Sequence, residues 1–211
     1  MKIVFPLLLG YIIAFVGIMP PGLINMTAVK VNLKEGVKSA LWFILGAVFV
    51  IFFQTYLAVL FARSIEQRPR IMLLLREIGF VLFFLLSIYF LVIAKKSKIK
   101  KGKIKKHSST NRFFLGILLS ALNFFPIPYY VFICLTLGSY GLFLFQGFFV
   151  LFFVIGVVLG SFSVFYFYIH FFKRIEVRAN YILNNMNTVI GSITGIVAGI
   201  SLINIIKYYW F

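Results

Sequence analysis

Three primary amides, Asn25, Gln54 and Asn123, lie in or beside long apolar stretches. An amide carries two donors and an acceptor, and burying it unpaired among apolar groups is costly. Two of the three adjoin a break in the chain. Met19-Pro20-Pro21-Gly22 interrupts the first apolar stretch, and Asn123-Phe124-Phe125-Pro126-Ile127-Pro128 interrupts a later one. Proline has no backbone N–H and its ring clashes with the preceding turn, so each break frees main-chain polar groups. In lipid such groups are tolerated only where protein or a water-filled cavity receives them. The chemistry on offer is therefore recognition. A half-helix starting after Pro21-Gly22 presents free N–H groups and a positive dipole end to an anionic group. Carbonyls freed at both breaks can accept from an amine. A zwitterionic solute needs both, with Asn25, Gln54 and Asn123 adjusting the fit. Matched Pro/Gly-interrupted hydrophobic segments in the two halves of a chain point to a transporter's binding site. Pro20, Pro21, Gly22, Asn25, Gln54, Asn123 and Pro126 are accordingly the candidate pathway residues.

The elements that must hold these groups are transmembrane helices. The 211-residue chain is 63% hydrophobic and only 12% charged, with a mean hydropathy of +1.07. A helix needs about 20 apolar residues to cross a bilayer. Charge-free runs cover residues 3–29, 39–62 and 78–94, and none of residues 113–172 is charged. That last run must turn once, at Leu137-Gly138-Ser139-Tyr140-Gly141. A final span covers residues 187–206. The first run is too long for the apolar core of a signal peptide and lacks a small-residue cleavage site, so it reads as a retained helix. The expected architecture is all-α, with six transmembrane helices, the first and fourth of them broken.

A shift of 106 residues brings Gly10 onto Gly116, Gly17 onto Asn123 and Pro20 onto Pro126. Each half then holds three helices, and an odd number of spans inserts the second half upside down relative to the first. The expected organisation is a first three-helix repeat over 1–94, a lysine-rich linker over 95–112 and a second repeat over 113–211.

The net charge of +17 does not imply nucleic acid. The cations sit between apolar segments rather than on a folded basic face. Fifteen of the 21 Lys and Arg residues fall in the odd-numbered connections, which the positive-inside rule assigns to the cytoplasm, with both termini outside. The eight lysines of Lys95–Lys106 face anionic lipid headgroups, each contributing about 1 kcal/mol near the surface. Tyr208, Tyr209 and Trp210 read as an interfacial anchor.

Enzymatic chemistry has little to work with. There is no Asp, and Glu35, Glu66, Glu77 and Glu176 lie at or near connections. No carboxylate pair, nucleophile–base pair or metal cage emerges, His107 and His170 lack ligand spacing, and Cys134 is alone. No cofactor is expected, and the phosphate-binding G-x-x-x-x-G-K-[ST] loop is missing. The hydroxyls of Thr27, Thr55, Ser161 and Ser163 have a plain alternative role, bonding back to their own helices. Gly46, Gly156 and Gly160 fit close helix packing.

The first half resembles the lysine-exporter (LysE/RhtB) family of small amino-acid translocators. The resemblance rests on Pro21-Gly22, then Gly36 within Asn32–Leu41, then the Leu45-Gly46 pair. Gly116 through Pro126, with Asn123 ahead of the proline, resembles the family's Asn-Pro break in the fourth helix. Three departures stand out. Leu23 occupies the third position of the family's Pro-Gly-Pro, Phe124 and Phe125 separate Asn123 from Pro126, and Ile51 stands where many relatives carry an acid. The resemblance implies a secondary exporter of an amino acid or similar metabolite in a bacterial inner membrane. So small a bundle is open to homo-oligomer formation. Ile51 weighs against proton coupling at that position. The rival readings are a non-transporting membrane scaffold that docks through the lysine-rich loop and an exporter of another ion or metabolite.

Overall fold

The computed structural model describes residues 3–20, 22–66, 68–93, 109–184 and 186–210, all of whose regular elements are helices. Pro21 and the lysine-rich stretch Lys95–Lys106 lie outside the described residues. The helices are α1 (Val4–Ile18), α2 (Leu23–Glu35), α3 (Val37–Glu66), α4 (Pro69–Ile88) closed by a π-helical turn (Tyr89–Ile93), α5 (Ser109–Ala121), α6 (Pro126–Ser139), α7 (Gly147–Asn184) and α8 (Met186–Trp210).

Local chemistry explains the boundaries. α1 stops at Ile18, ahead of Pro20, and α2 leaves it at 79°. α5 stops at Ala121, and Pro126 opens α6 at 58° to it. Proline suits a first helical position, where its missing N–H has no partner to lose. α6 ends on a Schellman turn. Leu142 N donates to Leu137 O and Gly141 N to Gly138 O, with Gly141 at φ +70°, which a side chain would strain.

Two connections are tighter than the charge pattern suggests. Lys30 and Lys34 belong to α2 and Lys38 to α3, so the first odd connection shrinks to Gly36 at φ +88°. α7 runs on through Lys173, Arg174 and Arg178. No Gly or Pro lies between Gly160 and Asn184 to end it, and lysine and arginine are good helix formers.

Val37–Glu66 and Gly147–Phe171 are each long and apolar enough to cross a membrane, and each bent pair adds one such span if it counts as a unit. Large apolar side chains such as Ile12, Val16, Phe53 and Phe61 point outward, as a lipid-facing surface requires.

The chain divides into two compact units. The first, Met1–Ser64 with Lys103–Arg174, contains α1, α2, α5, α6 and most of α3 and α7. Its helices meet at glycines in a reciprocal pattern. A methyl on Gly10 would overlap the Phe153 carbonyl, and one on Gly156 would overlap the Leu7 carbonyl, so α1 and α7 touch backbone to backbone. Gly46 sits in the same way on Phe113 O, and Gly116 on Phe43 O, where α3 meets α5. In all four cases the overlapped carbonyl lies three residues before the facing glycine.

The first unit also carries a buried ion pair. Arg112, in the first turn of α5, donates Nε to Glu35 Oε2 at 2.7 Å and Nη2 to Glu35 Oε1. Glu35 is the last residue of α2. Helix dipoles disfavour an acid at a C-terminus and a base at an N-terminus, and the ion pair offsets both placements.

The second unit, Ile65–Gly102 with Ile175–Phe211, pairs α4 and its π turn with α8. Ser87 Oγ donates to Gly191 O at 2.8 Å, and Leu91 packs on Gly191. Tyr209 donates to Glu77 Oε1 at 2.8 Å, and Trp210 is exposed, as an interfacial side chain would be. No described residue would meet a Cβ placed on Gly199 of α8. Gly199→Ala should therefore be neutral or raise stability by up to about 1 kcal/mol in detergent melts, since alanine is the better helix former.

Candidate functional site

Each break in the first unit exposes the end of one helix, and side chains gather on the exposed carbonyls. At the first break, buried Asn25 of α2 donates Nδ2 to Ile18 O at 2.8 Å and to Pro20 O at 3.1 Å. Tyr168 of α7 donates its hydroxyl to Met19 O at 2.6 Å. Three consecutive carbonyls that α1 can no longer satisfy internally thus receive donors from two other helices.

The other side of this break is open. The first bond of α2 runs from Met26 N to Gly22 O, so the amides of Leu23, Ile24 and Asn25 precede its hydrogen-bond ladder. α2 has no side-chain cap and no acid in its first turn. Gly22 is extended, at φ −117° and ψ −176°, and no described residue lies within 4 Å of where its Cβ would be. Any residue can adopt that backbone, so its glycine provides room rather than conformation.

At the second break Gln54 of α3 has the part that Asn25 and Tyr168 share at the first. Its Nε2 donates to Ser120 O at 3.1 Å and to Asn123 O at 3.0 Å. The structure therefore joins Gln54 to Asn123 through the Asn123 main chain rather than its amide. Pro126 opens α6 on the far side. Among the described residues, Gln54 Oε1, Thr55 Oγ1 and Ser120 Oγ are buried without a hydrogen-bond partner. Buried polar atoms are usually satisfied, and an orphaned one costs about 1–3 kcal/mol.

The candidate hydroxyls separate cleanly. Thr27 bonds back to Leu23 O, Ser161 to Val157 O and Ser163 to Leu159 O, all at 2.7–2.8 Å. Thr55 does not. Tyrosine was the missed residue type. Besides Tyr168, Tyr129 of α6 donates to Ile13 O at 3.2 Å and lies against Gly17, where a Cβ would come within 2.6 Å of its hydroxyl. A phenol within an apolar run needs an acceptor, which was the available sequence signal.

The shape of the first unit is thus two interrupted helices whose loose ends are held by side chains. A family model for LysE type translocators matches residues 15–204. The chain belongs to that family. The match includes both breaks, every residue that caps them, and both glycine crossings except Gly10. Comparison with curated proteins and with solved structures gives no match. The translocator is thus a multi-pass membrane protein of a transport family, built from apolar helices.

Proposed function

We propose that this translocator exports an amino acid or similar small metabolite from a bacterial cell by alternating access. The site lies between the breaks, near the bilayer midplane. Gly22 and the leading amides of α2 receive the solute's carboxylate. The carbonyl-rich ends of α1 and α5, with Asn25, Gln54 and Asn123, face its amine. Pro20 and Pro126 keep the half-helices apart, and Pro21 belongs to the proposed pathway beside Gly22. The observation that carries this reading is the pairing of an open, uncapped α2 start with carbonyls fixed by Asn25 and Tyr168 at the same break.

The reciprocal glycine crossings support an inverted duplication. The first helix of each half packs on the long helix of the other through the same offset, and the third helices, α4 and α8, pair in the second unit. That arrangement supports a reading of six spans in two inverted repeats, joined by the lysine-rich stretch ahead of α5. The positive-inside rule then puts the odd connections in the cytoplasm and the termini outside, with Lys95–Lys106 against anionic lipid. Energy comes from an ion gradient or from the solute's own gradient.

The test is release. A bacterium lacking its own amino-acid exporters would express the chain, be loaded with dipeptides, and have its medium followed by mass spectrometry. One or a few amino acids should accumulate above the empty-vector level. A chain that reaches the membrane and releases none would refute amino-acid export.

A further inference from the structure

The caps at the two breaks leave different remainders. At the first, the amide of Asn25 and the hydroxyl of Tyr168 are used on carbonyls. At the second, Gln54 uses its Nε2 twice and keeps Oε1 unpartnered. Because both donor contacts are to carbonyls, the amide cannot be turned over without setting oxygen against oxygen, so Oε1 is the atom left over. Thr55 adjoins Gln54 in the chain, and Ser120 supplies one of the carbonyls that Gln54 touches. Thr55 and Ser120 are fully buried and Gln54 is 8% exposed. Three unpartnered oxygens therefore belong to residues that touch or adjoin one another.

Two further features give this cluster a sign. It lies at the C-terminal end of α5, which ends at Ala121, and the negative end of a helix dipole favours a cation. No carboxylate is near in sequence, the chain's acids being at 35, 66, 77 and 176. Neutral oxygens alone suit a monovalent cation. Divalent ions are usually held by carboxylates.

We propose that the second break binds a hard monovalent cation of the sodium class, with Gln54 Oε1, Thr55 Oγ1 and Ser120 Oγ as side-chain ligands. Broken helices whose carbonyl ends hold a coupling ion are a recurrent transporter device. That the ion drives export rests on the transport reading above, but its binding does not. None of the three ligands titrates near neutrality, so the ion's effect should be the same at pH 6 and pH 8.

The experiment is thermal unfolding of the purified full chain in detergent, without amino acid, in sodium, lithium, potassium or choline chloride at constant ionic strength. Sodium should raise the midpoint saturably, by roughly 2 °C or more over choline. Thr55→Val and Ser120→Ala should each remove that rise. In choline, both variants should melt no lower than the wild type, because each removes an orphaned hydroxyl. Coincident sodium and choline midpoints in the wild type would overturn the proposal, as would a sodium rise that survives in both variants. Proteoliposome flux separates the two readings. A sodium response without solute movement would leave the cation site standing and remove the exporter.

Discussion

Arg112→Ala should strongly reduce the amount of folded protein recovered in detergent, with a loss of about 3–5 kcal/mol. The side chains of Arg112 and Glu35 are only 3% and 4% exposed. Removing the guanidinium takes the two-pronged donor contact away from the buried Glu35 carboxylate, and breaking a buried ion pair from one side is costly. Glu35→Ala should cost a similar amount for the mirrored reason. The double variant Glu35→Leu with Arg112→Leu should recover most of the loss, since a well-packed apolar pair can match a buried ion pair. Fluorescence-detected size-exclusion profiles after graded heating would check this. Equal losses for the single and double variants would mean that packing, rather than charge, matters at this joint of α2 and α5.

Gly116→Val and Gly46→Val should be at least as damaging. Overpacking a core commonly costs about 1–3 kcal/mol, because side chains can shift to make room. Here the obstructing atoms are backbone. A Cβ on Gly116 would overlap Phe43 O and come within 3.0 Å of Ala47 N. One on Gly46 would overlap Phe113 O and come within 3.1 Å of Ile117 N. The helices would have to move apart, giving up close contact along the crossing. Both variants should fail to yield a monodisperse peak, while Gly199→Ala behaves as wild type. The reciprocal geometry adds a second expectation: Gly10→Val and Gly156→Val should fail in the same way at the α1–α7 crossing.

The two breaks were legible because their cause is local. Proline and glycine act on their own turn, so Pro20, Gly22 and Pro126 announce helix ends in any context. Asn25 and Gln54 were legible for a related reason, since an amide in an apolar run must find partners. What those partners are was not legible. Tyr168 meets Met19 across 149 positions and Arg112 meets Glu35 across 77, and single-sequence periodicity carries no information about such pairings. Charge runs also misled at two connections. Lys30, Lys34 and Lys38 suggested a loop, yet the helices continue to within one residue, Gly36, because lysine ends a membrane crossing without ending a helix. The same holds for Lys173 and Arg174 in α7.

The proposed pathway stands or falls at Gly22. Its backbone is unstrained and no described residue lies within 4 Å of its Cβ position, so Gly22→Leu should fold and reach the membrane at the wild-type level. The isobutyl group would then occupy the space beside the leading amides of α2, where the solute's carboxylate is taken to sit. The decisive measurement is amino-acid release from dipeptide-loaded cells, wild type against Gly22→Leu, normalised to protein in the membrane. Release should fall to the empty-vector level while the detergent melting midpoint is unchanged. Release at the wild-type rate from a folded Gly22→Leu protein would contradict it and move the pathway away from the first break.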